Sequence, residues 1–297
     1  MASDLTLAIL GCGNMGSAIL DGILGATSTP EGFNASPVNR IIACRKSQSS
    51  AEKLEARYTD SKSKIQLEFR ADANIKSARE ADVIMLGCKP YLVDSVLSEN
   101  GLADAMAGKL VVSVIAGKTI DVLSRIIAKN QSQSTRTAPV IARAIPNVAA
   151  SVRESMTIVE LPEAASEDDK NIVSWIFAQI GTVKVLNGEL FDCGATLMAS
   201  LATLSVAVDG ILDGCVVEGL NRAEASEMTA QCLLGLAKML QDGHHPAILR
   251  ESIASPRGCT IQSLLAVERA SVRHAFADSI IAGTQHLKRL QEDASKE

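Results

Sequence analysis

Leu5-Thr-Leu-Ala-Ile-Leu-Gly-Cys-Gly-Asn-Met-Gly-Ser-Ala-Ile-Leu20 begins as a short apolar run, breaks into Gly11-x-Gly13-x-x-Gly16, and passes at once into apolar residues at helical spacing. That succession is the strand, glycine turn and helix of a dinucleotide site. Each glycine has its own physical reason. Gly11 lets the chain turn sharply after the strand, Gly13 lets backbone approach a pyrophosphate, and Gly16 lets the helix pack closely on the strand. Asn14, Met15 and Gly16 would open the helix, whose N-terminal N–H groups and dipole favour phosphate. The alternative is a purely structural glycine turn in some other α/β domain.

Working outward, the pattern alternates. Ile41–Cys44, Ile65–Phe69, Val83–Leu86 and Leu110–Ile115 read as strands, separated by helical segments near 48–57, 72–80, 91–106 and 119–129. Strands alternating with helices imply right-handed crossovers and a mainly parallel, doubly wound sheet. Val140–Ile145, Met156–Glu160 and Thr182–Leu186 extend it, with a helix near 166–178. From Gly188 onward strand signals stop and apolar residues recur at helical spacing. The expected fold is therefore α/β, a Rossmann-type dinucleotide-binding domain over 1–165 followed by an all-helical domain over 166–297. Asn221 should cap one late helix, and His244-His245 before Pro246 should close it as a C-terminal cap. No residue set has metal-ligand spacing.

Composition narrows the class. In 297 residues, 47% are hydrophobic and 21% charged, with a net charge of −5. That is an ordinary globular balance, and without a broad basic surface nucleic acid is not an expected partner. Seven cysteines, none in C-x-x-C, fit reduced thiols better than a disulfide framework. No cationic region leads into an apolar signal segment, so a cytoplasmic protein is expected. Ala195–Ile211 is interrupted by Ser200, Thr203, Ser205 and Asp209; it reads as a helix buried in protein and no membrane is expected. The many apolar helix faces of the second domain call for an oligomer.

The end of the second strand bears on the cofactor. Where an NAD site usually places a carboxylate for the ribose hydroxyls, this chain has Cys44-Arg45-Lys46-Ser47. Two cations and a hydroxyl suit a 2′-phosphate, which points to NADPH, with NADH as the alternative cofactor and solvated loop charges as the bland reading. Cys88-Lys89-Pro90 and Ser113–Gly117, with Ala116 and Gly117, should face the same crevice, because ligands of such sheets lie outside the carboxyl ends of the strands. Lys89 fits a general acid, a phosphate-side cation or simple turn chemistry.

Taken together, Gly11–Gly16, Cys88-Lys-Pro90, Ser113–Gly117, Ile145-Pro-Asn147, Asp213–Arg222 and Ala254-Ser-Pro-Arg-Gly-Cys-Thr-Ile261 resemble the pyrroline-5-carboxylate reductase family. The resemblance runs through nearly the whole chain in order. It implies reduction of a cyclic imine by NAD(P)H in proline biosynthesis, and a homodimer with interlocked C-terminal helices, or a higher oligomer, in which the signature loop of one subunit meets the nucleotide domain of the other. It also implies that Thr260 touches the ring nitrogen and helps protonate it. Ser255, Gly258 and neighbouring backbone N–H groups, including Cys259, would cradle the substrate carboxylate, and Asn147 and Ala116 would sit beside the nicotinamide. Thr260 also reads as a helix-start hydroxyl satisfying backbone donors.

Two departures stand out. Where the family loop has G-G, this chain has Arg257-Gly258, which puts a long cation at the substrate side. Where the family has G-S-G-P-A-[YF], the chain reads Met198–Thr203. In an ordinary proline-pathway reductase Arg257 could still bind the substrate carboxylate with bidentate geometry. The alternative readings are a diverged imine reductase acting on a different imine and a nucleotide-binding homologue without turnover.

Overall fold

In the computed structural model, residues 4–132 and 137–294 are described, without the side chains of 292–294. The strands are β1 (Leu5–Leu10), β2 (Val38–Arg45), β3 (Gln66–Ala71), β4 (Val83–Leu86), β5 (Leu110–Ser113), β6 (Val140–Pro146), β7 (Ser155–Glu160) and β8 (Gly181–Val185). They form one sheet in the order β3-β2-β1-β4-β5-β6-β7-β8. Neighbours from β3 through β6 are parallel, β7 runs antiparallel to β6, and β8 parallel to β7.

The helices joining them are α1 (Asn14–Ala26), α2 (Pro30–Asn34), α3 (Gln48–Arg57), α4 (Asn74–Glu80), α5 (Val93–Leu97), α6 (Leu102–Ala105), α7 (Ile120–Asn130) and α8 (Glu167–Ala178). Beyond the sheet come α9 (Gly188–Val217), α10 (Arg222–Gln241), α11 (Pro246–Ile253), α12 (Cys259–Arg269) and α13 (Val272–Ala294).

The strand sequences explain two cores rather than one. Side chains alternate across a strand. Leu7 and Ile9 of β1, Ile41 and Ala43 of β2, and Val83 and Met85 of β4 therefore bury on one face, with Ile19, Ile23, Val173 and Phe177 from α1 and α8. Ala8 and Leu10, Ile42 and Cys44, and Ile84 and Leu86 bury on the other, with Ala78, Val93, Leu97, Leu123 and Ile127 from α4, α5 and α7. Strands covered on both faces read as unbroken apolar runs, which is why they were visible without alternation in the sequence.

The structure changes several expectations. The helix expected over 91–106 is two short pieces behind a 3-10 turn at Pro90–Leu92. Gly101 takes φ +90°, a left-handed step that helical periodicity cannot carry. The compact units divide elsewhere than the sequence boundary of 165/166. α8 packs beside α1 and β8 completes the sheet, so the first compact unit runs to Met198 and takes back Gln285–Glu297, while the second is Ala199–Thr284. His245 begins α11 rather than closing α10: its Nδ1 accepts from the Ala247 N–H at 3.3 Å. Asn221 caps α10 as expected, accepting from the Ala223 N–H at 2.8 Å.

The helix containing Ala195–Ile211 is neither short nor buried. α9 is 30 residues, and by length and composition it is apolar enough to cross a membrane. Within Ala199–Thr284 only Ala225 and Leu249 are buried, while Val206, Ile211, Leu234, Met239 and many like them are exposed. A patch of that extent on one chain marks an interaction surface. Sedimentation at micromolar concentration should therefore give a dimer or larger; a monomer would contradict the reading of these helices.

Candidate functional site

Because β1 through β6 are parallel in sequence of pairing, the segments that follow β1, β2, β4, β5 and β6 all leave the same edge of the sheet. From β1 the chain steps outward to β2 and β3, then returns to β4 on the other side of β1. The β1/β4 junction is thus the point where strand order reverses, and ligands of open α/β sheets bind there.

A cleft of about 590 Å³ opens at this junction, and Gly11, Gly13, Arg45, Lys46, Cys88 and Lys89 line it. Gly11 turns with φ +87°, and a Cβ there would lie 2.9 Å from the Cys88 nitrogen. At Gly13 a Cβ would meet only the Gly11 carbonyl, at 3.9 Å, so the space beyond it is open. Gly16 lies under the helix instead, where a Cβ would come 3.2 Å from Ile9 Cγ2. Gly11 thus makes a turn, Gly16 a close helix packing, and Gly13 leaves open backbone facing the cleft. No side chain caps α1, so the amides of its first turn, at Asn14, Met15 and Gly16, keep their donor capacity for a ligand.

The cations at the end of β2 differ from one another. Arg45 Nε is buried without a hydrogen-bond partner, a nitrogen that calls for an acceptor. Lys46 is exposed, and its Nζ donates to Asp72 Oδ1 at 2.7 Å, which holds the ammonium above its ordinary pKa. Ser47 stands at the start of α3 with its Oγ donating to Ser50 Oγ at 3.0 Å.

On the far side of β1, Pro90 opens the 3-10 turn, and Lys89 Nζ lies 5.8 Å from the centre of the Tyr91 ring. Two thiols here are packing groups. Burial pushes Cys12 up to about 11 and raises Cys88, so both are neutral near neutrality. Ala116 is exposed after β5, and Gly117 takes φ +75°. Asn147 follows β6; its side chain accepts from the Ala149 N–H at 3.2 Å while its own N–H donates to Ser155 Oγ at 3.1 Å. Sequence reasoning missed Ser50, Asp72, Asn74, Tyr91, Leu92 and Glu99, which also line the cleft. The carboxyl end of β3, next to β2 in the sheet, was the available signal for Asp72.

Ser255, Arg257, Gly258, Cys259 and Thr260 gather in the second unit, at one turn and the start of α12. The Gly258 N–H donates to the Ser255 carbonyl at 3.0 Å. Arg257 sits inside that turn with φ +63°, at a position that favours glycine. Gly258 is the N-cap of α12 without a side-chain cap, and a Cβ on it would fall 2.4 Å from Ser255 Oγ. The start of α12 therefore presents uncapped amides, with Arg257 and Thr260 next to them in the chain. Neither side chain makes a hydrogen bond or ion pair among the described residues. This loop and the cleft belong to different compact units.

Residues 189–290 match the model for pyrroline-5-carboxylate reductase dimerisation, and residues 6–117 match that for coenzyme F420-dependent NADP oxidoreductases. A pyrroline-5-carboxylate reductase of Neurospora crassa is 37% identical, over 95% of this chain and 92% of its own length. The chain belongs to the pyrroline-5-carboxylate reductase family. A further family member from Schizosaccharomyces pombe is 31% identical over 93% of this chain and 96% of its own. The fold agrees: a Plasmodium falciparum pyrroline carboxylate reductase, solved with NADP bound, superposes with a TM-score of 0.78 at 21% identity, covering 98% of this chain and all (100%) of that one. A Coxiella burnetii pyrroline-5-carboxylate reductase gives 0.79 at 24% identity, covering 98% and 99%.

Proposed function

We propose that the protein reduces Δ1-pyrroline-5-carboxylate to proline with NAD(P)H, NADPH being preferred. Family membership makes it an NAD(P)H-dependent oxidoreductase acting on a C=N bond, in the last step of proline biosynthesis. The observation that carries the cofactor reading is the cleft at the β1/β4 junction, with its open backbone at Gly13 and the unpartnered Arg45 Nε. The first-turn amides of α1 would hold the pyrophosphate, Arg45, Lys46 and Ser47 the 2′-phosphate, and Ala116, Gly117, Asn147 and the Cys88-Lys89-Pro90 turn the nicotinamide half. The bound cofactor supplies the hydride.

The chain's own task is then to bind the imine acid, orient it and place a proton. The amides at Gly258 and Cys259, the Ser255 hydroxyl and the Arg257 guanidinium are donors suited to a carboxylate. Thr260 would give its hydroxyl proton to the ring nitrogen as the C=N bond takes up hydride at carbon, and recover a proton from solvent. Orientation within reach of the donor lowers the remaining barrier.

The dimerisation match over 189–290 and the exposed apolar helices support an oligomer. Interlocked C-terminal helices, a signature loop completing the partner's cleft, and assembly beyond the dimer belong to the proposal. On this reading the apolar length of α9 faces a second copy rather than lipid. A cytoplasmic location is also proposed, supported by seven free cysteines.

Incubation with pyrroline-5-carboxylate and NADPH, followed by loss of reduced-nicotinamide absorbance, tests the function. Absence of turnover on that substrate and on related cyclic imines would remove it and leave a nucleotide-binding homologue. A specific observation favours a second reading: Arg257 occupies a left-handed position where the family loop has glycine, and a long cation in place of that glycine alters the substrate side, which suits a diverged reductase acting on a different imine. Faster turnover of such an imine than of pyrroline-5-carboxylate would establish it.

For the cofactor, Arg45→Ala should weaken NADPH binding about tenfold or more, the usual range for a lost charge-assisted hydrogen bond, and leave NADH nearly unchanged. Equal losses for both nucleotides would refute the 2′-phosphate role.

A further inference from the structure

The cleft carries a carboxylate where a phosphate site would be expected to carry cations alone. β2 and β3 are parallel neighbours, so their carboxyl ends lie side by side, with Arg45 paired to Ala71. One residue on, the Asp72 N–H donates to the Arg45 carbonyl at 2.9 Å. That bond, and a left-handed φ of 46°, fix the residue just beyond the sheet edge. Its Oδ1 accepts from Lys46 Nζ at 2.7 Å, and both residues line the cleft.

Lys46 is thus partnered within the chain, whereas Arg45 Nε is not. The second carboxylate of the wall, Glu99, is engaged elsewhere: its oxygens accept from Asn74 Nδ2 at 3.1 and 3.2 Å. Lys89 is the remaining cation of the lining. Three cations set against two carboxylates make a weaker attractor for a dianion than the motif Arg45-Lys46-Ser47 suggests. The Lys46–Asp72 pair itself is exposed, at 84% and 68% of the two side chains, and such pairs exchange partners at small cost.

We infer that Asp72 sets the nucleotide selectivity of this cleft: it competes with a 2′-phosphate for Lys46, and in the absence of that phosphate it remains an acceptor for a ribose hydroxyl. The inference rests on the cofactor reading above and deepens it. It implies an enzyme that favours NADPH through Arg45 while retaining use of NADH, because the second cation is only conditionally available.

The test is calorimetric titration of the full-length protein with 2′,5′-ADP and with 5′-AMP, which read the 2′-phosphate without catalysis. Asp72→Asn is the informative change, since asparagine also accepts left-handed backbone and keeps the turn; an unchanged melting temperature checks this. The variant should bind 2′,5′-ADP about fivefold more tightly, the scale of one unit charge across a solvated contact, and 5′-AMP no more tightly than before. In a Lys46→Gln background the gain should vanish. An equal change for both nucleotides, no change for 2′,5′-ADP, or a gain that persists without Lys46 would each overturn the inference. Failure of the unaltered protein to bind either nucleotide would instead overturn the cofactor reading, and the inference with it.

Discussion

Thr260→Ala is expected to lower the rate of imine reduction by about a hundredfold, near the low end of what general acid catalysis supplies. Thr260 is the second residue of α12, behind the N-cap Gly258, and its hydroxyl makes no capping hydrogen bond there. A side chain that caps nothing loses little helix stability on truncation, so the melting temperature should hold while kcat falls. Nucleotide affinity should also hold, because the cleft belongs to the other compact unit. Thr260→Ser, which keeps the hydroxyl, should recover most of the rate. Unchanged kcat in the alanine variant would exclude proton delivery from this position, and a fall in melting temperature matching the lost activity would assign the residue to the helix instead.

The second large effect separates Gly11 from Gly13, two residues apart in the motif. Gly11→Ala forces a side chain into left-handed backbone, at roughly 1–2 kcal/mol, and drives its Cβ against the backbone of Gly87 and Cys88 at 3.0 and 2.9 Å. Neither contact can yield by rotating a side chain. The variant should lose about 2 kcal/mol or more of stability, with a melting temperature lower by about 4 °C or more, and should bind nucleotide poorly. Gly13→Ala should behave differently. Its φ of −82° suits any residue and its Cβ would point into open space, so the fold should keep its melting temperature while pyrophosphate approach is blocked. Equal melting losses in the two variants would refute this division of labour.

Much of this was legible in the chain. The apolar runs of β1, β2, β4 and β5 were readable because both faces of those strands are buried, so that their polar residues fall toward the strand ends. The glycine turn and Arg45 were legible because their chemistry is local: a left-handed step, a close approach, a cation at a strand end. What could not be read depends on neighbours distant in sequence. Asp72 acquires its meaning only when β3 is laid beside β2; its own segment offers no more than a place at a strand's carboxyl end. The break at Gly101 was hidden because apolar residues on either side keep helical spacing. The exposed length of α9 misled for another reason: an apolar run records that it avoids water, not whether the protein that covers it is the same molecule. α8 and β8 joined the first unit because sheet pairing, not the count of helices, decides where it ends.

The contact between Gly11 and Gly87 also constrains how the family's turn can vary. A Cβ at position 87 would lie 2.8 Å from the Gly11 carbonyl, just as one at position 11 would strike the Gly87–Cys88 backbone. The two loop tips therefore share a single van der Waals spacing, and neither can gain a side chain while the other's backbone stays in place. Their substitutions should be epistatic: in a library randomised at both sites and selected for nucleotide binding, survivors should hold glycine at both, with no compensating pair. The fingerprint of this fold would then extend beyond its own segment to a fourth glycine, just after β4, a strand that the chain reaches only after three crossovers.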